Sequence, residues 1–177
     1  YGSEFGIEGR KERFSDDSLR PALNYEDYKE AVETNSCTKL IAALGKIRQN
    51  IPILCYGDYK ELELQTTHYA YARTLDGKSV ITTLNNGDHD VSMNLEAGQS
   101  AEYVGVLTGE RVVVNGGRIQ VRVPANFGEI WIPAELCKES FAPIVNREIP
   151  KTPEQSKVSE QPKTLEQPKT ESAVEDE

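Results

Sequence analysis

The sequence is poor in the residues on which many functions depend. It has one Trp, one Met, two His and three Cys in 177 residues. Cys37, Cys55 and Cys137 are odd in number and widely spaced. That excludes a disulfide framework and any paired CxxC zinc pattern. The plain expectation is buried free thiols, which pack as small core residues and favour a reducing compartment. Positive charge is scarce as well, with 20 Lys and Arg against 29 Asp and Glu, net −9. A nucleic-acid reader carries a basic patch or stripe, so no nucleic-acid partner is expected. No apolar run approaches the ~20 residues that span a bilayer, so no membrane span is expected. The chain begins with Tyr1 and its only Met is Met93, which reads as a processed or truncated piece of a longer protein.

Three zones differ in composition. From Lys151 the sequence repeats every six residues, as KTPEQS, KVSEQP, KTLEQP and KTESAV. It holds too few apolar residues to offset the entropy of ordering it, and Pro153, Pro162 and Pro168 break any helix. Residues 147–177 are therefore expected to be a disordered linker or tail. Such a stalk would suit an exported or cell-surface protein. The unpaired cysteines favour the cytoplasm, which is the expected location, with secretion as the alternative.

The first zone opens with a polar, turn-rich stretch over residues 1–30. Thr34, Asn35 and Ser36 then offer helix N-caps. Cys37, Leu40, Ile41, Leu44 and Ile47 follow at helical spacing, with Lys39, Lys46, Arg48 and Gln49 on the other side. Pro52 is expected to end this helix over 35–50. A single apolar stripe needs a partner surface.

The second zone reads as β. Strands are expected over 59–64, 69–75, 79–84, 90–95, 102–107, 111–115, 118–123 and 128–132, with hairpin turns at Asp76-Gly77 and Asn115-Gly116-Gly117. Eight short strands with frequent turns imply an antiparallel β-sandwich. Asp88-His89-Asp90 reads as a polar turn rather than a metal cluster. His68 reads as a loop residue beside a strand. Trp131 points opposite to Ile130 and Ile132, and is expected to pack against a neighbouring domain rather than to stack on sugar.

Five pieces, in order over about 85 residues, are similar to one family. Tyr1-Gly2-Ser3-Glu4 resembles the segment after the eighth barrel strand of the α-amylase superfamily, glycoside hydrolase family 13. A glycine-containing loop and Ser15-Asp16-Asp17-Ser18-Leu19-Arg20-Pro21 follow, as acidic residues and Arg-Pro do there. Leu44, Ile47, Arg48, Pro52 and Leu54 match the end of that family's last barrel helix. Tyr56-Gly57-Asp58-Tyr59 resembles the start of its C-terminal domain. Tyr69-Ala70-Tyr71-Ala72-Arg73 and Asn85 fall where such domains place an aromatic-Ala-Arg strand and an Asn.

The resemblance bears on the first ten residues, YGSEFGIEGR. Gly2-Ser3-Glu4-Phe5 is also what two adjacent cloning sites encode, and Ile7-Glu8-Gly9-Arg10 is the recognition sequence of a protease used to remove tags. The match at YGSE makes a natural segment the expectation. The resemblance implies that residues 1–54 are the end of a (β/α)8 barrel: the loop after strand eight and the last barrel helix. Residues 55–146 are then a C-terminal Greek-key β-sandwich. It also implies a retaining hydrolase or transferase of α-glucosidic bonds, in which an Asp attacks and a Glu serves as acid and base. Those carboxylates belong to strands upstream of Tyr1, so the chain holds no catalytic residue and is expected to be inactive alone. An α-glucan would be met through the missing barrel, against which helix 35–50 would pack. No cofactor or metal is implied here, and a calcium ion in that barrel is left open. Glu4, Asp16, Asp17 and Arg20 are the candidate sugar contacts. Relatives often read Asp-Pro-x-x-Arg-Arg-Pro where this chain has Ser15 and Leu19. The other reading is that these charges brace the loop or stay solvated. The alternative function is a stand-alone β-sandwich for carbohydrate binding or surface interaction.

Overall fold

The computed structural model describes residues 1–138. The expected tail lies outside them. Three single 3-10 turns, Ser3–Phe5, Asp17–Leu19 and Tyr25–Tyr28, punctuate the opening stretch. Helices α1 (Ala31–Thr34), α2 (Ser36–Asn50) and α3 (Pro52–Tyr56) follow. The strands are β1 (Asp58–Leu64), β2 (His68–Leu75), β3 (Lys78–Asn85), β4 (Val91–Glu96), β5 (Glu102–Gly105), β6 (Arg111–Val113), β7 (Arg118–Val123) and β8 (Phe127–Pro133). The fold is mainly β, and all pairings are antiparallel.

All eight expected strands form, for the local reasons their turns supply. Asp76 and Gly77 take φ of 52° and 78° between the paired residues Leu75 and Lys78. A two-residue hairpin needs both central residues at positive φ to match the strand twist. Gly116 and Gly117 repeat the device before β7. Pro52 behaves differently from the expectation. It ends α2 but also starts α3 at the first helical position, where its missing N–H is no loss.

The six-stranded sheet runs β1-β2-β3-β8-β5-β6, and β4 pairs with β7 in a second sheet. Strand β8 returns to lie between β3 and β5, the long-range pairing of a Greek key. Between the sheets, Ala70, Ala72, Ile81, Tyr103 and Trp131 face Met93, Leu95, Ile119, Val121 and Val123. On the other side of the large sheet, Val80, Val106 and Ile132 pack with Ile47, Ile51, Ile53 and Leu54 of the helical segment. The alternation of Trp131 against Ile132 thus divides β8 between two cores. The exposed edge strand β1 carries Asp58, Lys60, Glu61 and Glu63 and a register shift between Glu61 and Glu63, devices that blunt edge-to-edge pairing.

Candidate functional site

The opening residues are built onto the start of α2. Asn35 caps the helix, its Oδ1 accepting from the N–H groups of Cys37 at 2.9 Å and Thr38 at 3.1 Å. Its Nδ2 reaches back to donate to the Phe5 carbonyl at 2.8 Å. Thr38 Oγ1 donates to the Glu4 carbonyl. The Phe5 ring stacks on Tyr28, with centroids 4.4 Å apart. One side chain therefore satisfies two helix N–H groups and also fixes the Ser3–Phe5 turn.

The four candidate sugar contacts are all exposed. They fall on two turns. Glu4 sits on the first, whereas Asp16, Asp17 and Arg20 span the second, Asp17–Leu19 with its flanking residues. Asp16 forms an ion pair with Lys11. Among the described residues no hydrogen bond or ion pair joins Glu4 to the other three, and none engages the side chains of Glu4, Asp17 and Arg20. These groups are free to hydrogen-bond a polyhydroxylated ligand.

An open groove of about 920 Å³ runs between α2 and the outer face of the large sheet, lined by Leu40, Leu44, Tyr69, Tyr71, Phe127 and Ile130 among others. It exists because only the last turn of the apolar stripe is covered. Ile47 is 2 % exposed, whereas Ile41 is 48 % exposed. The apolar stripe of α2 is thus left partly uncovered.

Two buried polar residues hold the sheet beside that groove. Glu129, in the middle of the otherwise apolar β8, accepts from Leu107 N–H and Ile130 N–H at 2.8 Å and from Thr108 N–H at 3.0 Å. Thr108 Oγ1 adds a fourth bond at 2.6 Å. Because Leu107 and Thr108 donate to this carboxylate, they leave the ladder. Strand β5 therefore stops at Gly105 instead of the expected 107. A Cβ at Gly105 would lie 2.6 Å from the Glu129 carboxylate, so the close approach requires glycine. Asn85 donates from Nδ2 to the carbonyls of His89, Pro124 and Val123 at 2.9, 3.0 and 3.2 Å, and accepts from Gly87 N–H at 2.9 Å. It ties the end of β3 to the turns flanking the small sheet.

Several expectations are corrected. Trp131 packs, but inside the sandwich rather than against another domain. It is 1 % exposed, and its Nε1 donates to Thr83 Oγ1 at 3.1 Å, so it offers no sugar platform. His68 begins β2 and its Nε2 lies 2.9 Å from Glu63 Oε1. The cysteines are not buried: Cys37 is exposed, and Cys55 and Cys137 are half-buried. Cys37 lies at the uncovered end of the apolar stripe, and Cys137 follows the last strand. Asp90 in the Asp88-His89-Asp90 turn pairs with Arg122 at 2.8 Å and accepts from Ala125 N–H at 3.0 Å. Among the described residues no three His, Cys, Asp or Glu side chains gather as a metal site, and no helix is long and apolar enough to cross a membrane.

No protein-family profile and no curated protein matches the sequence. Solved structures do. An Anoxybacillus α-amylase is 22 % identical, with a TM-score of 0.59 over 75 % of this chain and 27 % of that chain. The chain folds like part of an α-amylase. CldA, a cyclomaltodextrin glucanotransferase with a three-domain ABC distribution, matches at 21 % identity, TM-score 0.59, over 74 % of this chain and 28 % of its own. The α-amylase of Geobacillus thermoleovorans, solved with acarbose, matches at 18 % identity and TM-score 0.59, over 74 % and 28 %. The chain spans little more than a quarter of the length of these structures. The amylase-type fold accounts for a helix and a two-sheet β unit standing side by side. Asn85, the Asn that the resemblance singled out, is the polar clamp at the end of β3.

Proposed function

We propose that this chain is the C-terminal portion of an α-amylase-type glycoside hydrolase acting on α-glucosidic bonds of starch-like or malto-oligosaccharide substrates. Residues 1–54 are then the last loop and helix of a (β/α)8 barrel, residues 55–146 its C-terminal β domain, and residues 147–177 a linker or tail. The observation that carries this reading is the half-covered helix α2. Its final turn is locked into the β unit through Ile47, while Leu40, Ile41 and Leu44 meet solvent or an open groove. A helix built to sit between two bodies has this pattern. The rest of the barrel supplies the missing cover, and the β domain braces it.

In the parent enzyme a carboxylate attacks the anomeric carbon and a second donates and then withdraws the proton. This chain contributes neither. Its part in the site is the loop after the last barrel strand, at the face where barrel active sites are assembled. Glu4, Asp17 and Arg20 offer charge-assisted hydrogen bonds to sugar hydroxyls there. Asp16 serves the same loop and is held by Lys11. The test is to express the reading frame that continues upstream of Tyr1, and to assay reducing-sugar release from soluble starch. Release by the longer protein and none by residues 1–177 supports the reading. A longer protein that leaves starch and malto-oligosaccharides intact overturns it.

A further inference from the structure

We propose that Arg73 is a docking residue, which binds a carboxylate on the protein body that covers α2. This contact presupposes the barrel reading above and adds its chemistry. Arg73 lies on β2 opposite Tyr59 of β1 and Val80 of β3. Residues directly opposite in a sheet share a face, and Val80 belongs to the core beneath the helical segment. Arg73 therefore stands on the helix side of the large sheet. Tyr71 and Tyr69, two and four residues earlier on the same strand, point the same way and line the open groove.

The guanidinium is half-buried and under-used. Its Nη2 donates to the Cys55 carbonyl, in α3, at 3.4 Å. Its Nε is buried with no hydrogen-bond partner among the described residues, and none of the ion pairs among them includes Arg73. Glu61 faces the same way, opposite Tyr71, but does not pair with it. A buried donor without a partner costs stability, and an unpaired charge costs more. The planar fork of N–H donors fits a carboxylate in pairs, so an acid is the partner that would satisfy it. The surroundings are those of an interface. Tyr71 lies 5.7 Å from Tyr59 and 5.8 Å from Tyr69 between ring centroids. Tyr59 and nearby Tyr56 are 55 % and 79 % exposed. Tyr and Arg are the usual anchors of protein interfaces, where surrounding contacts exclude water from the charge. A neutral glucan would stack on such rings but leave the guanidinium unpaired.

The experiment measures Tm for Arg73→Met in two settings: residues 1–177, and the protein that continues upstream of Tyr1. In residues 1–177 the variant should melt within a few degrees of the parent, or above it, because no ion pair is lost. In the longer protein the same change leaves a carboxylate buried without its partner, and Tm should fall by clearly more. Arg73→Lys keeps the charge but not the fork, and should recover part of that fall. A carboxylate held by Arg73 stabilises the folded state above its unfolded value of about 4, and that contribution is lost as pH drops through the folded one. The gap between parent and Arg73→Met in the longer protein should therefore narrow below about pH 4. Two results overturn the proposal: an equal loss of Tm in both settings, which makes Arg73 a brace of the sheet alone, or a longer protein indifferent to Arg73→Met at pH 7. Starch hydrolysis by the longer parent protein separates this contact from the reading beneath it. A longer protein that cleaves starch but ignores Arg73→Met loses the contact and keeps the barrel. One that leaves starch intact loses both.

Discussion

At the scale of single residues, the sheet depends on two polar side chains that its apolar pattern hides. Glu129 receives three backbone N–H groups and one hydroxyl. Glu129→Ala leaves those half-buried donors without their partner, where a fully buried one would cost ~1–3 kcal/mol. A net loss of about 3 kcal/mol or more is expected in urea unfolding. Glu129→Gln keeps the shape but turns an amide N–H towards backbone N–H groups, and should recover less than half of that loss. Near it, burial, followed by the charge of Glu129, raises the Glu110 carboxyl above its ordinary value. An acid raised in the folded state favours folding at low pH. That contribution is complete below the unfolded value of about 4.3 and is lost as pH climbs through the folded one. Glu110→Gln should therefore raise Tm at pH 7 and lose its advantage at about pH 3.5. Melting curves at the two pH values check this. Neither carboxylate was legible as special from the sequence. A Glu inside FGEIWIP is the one local sign, since an acid in an apolar strand must find donors or stay charged and unpaired.

At the scale of elements, the strands were legible almost to the residue. Alternation and Asp-Gly or Gly-Gly turns are local, and each fixes its own hairpin. The missed ends have non-local causes. Strand β5 is cut short by a carboxylate 24 residues beyond Gly105, and no window on β5 contains it. The fates of Trp131 and of the cysteines escaped for the same reason, because which side of a strand or helix is covered depends on what packs there. Helix α2 shows both regimes. Its stripe and cap were readable, but the second bond of Asn35, to Phe5, joins positions 30 apart. This gives a separable prediction. Asn35→Asp keeps the oxygen that caps the helix and loses the nitrogen that holds the opening turn. Hydrogen exchange at residues 3–7 should quicken at least fivefold, for the loss of ~1 kcal/mol, while exchange in α2 stays slow. Asn35→Ala removes both bonds and should also cost the helix about 1 kcal/mol. Equal protection of residues 3–7 in the Asp variant and the parent chain would show that the turn does not rely on Asn35.

At the scale of the whole molecule, closed cores stand beside an apolar surface that is only partly covered. The two cores of the β unit are closed, with Trp131, Tyr103, Ile81 and Ile132 at 1 % exposure or less. The groove beside α2 is open, and Ile41 on the same helix stands 48 % exposed. A chain with a closed core and an open groove should melt cooperatively while still binding a hydrophobic dye, which separates it from a molten state, where dye binding accompanies lost packing. Ile41→Glu and Leu44→Glu should lower dye fluorescence, and any self-association, by severalfold. Their Tm should stay within a few degrees of the parent value, because neither side chain belongs to a closed core. Ile47→Ala is the counterpart. It removes a side chain only 2 % exposed, should cost ~2–5 kcal/mol and should leave the groove's dye binding in place until unfolding. In the longer protein the order reverses. Under the proposed barrel assignment, Ile41 and Leu44 would be core residues between barrel and β domain, and the same glutamates should lower Tm and starch hydrolysis together. If Ile41→Glu and Leu44→Glu are silent in the longer protein as well as in the isolated chain, α2 is a finished surface and the barrel assignment fails with it.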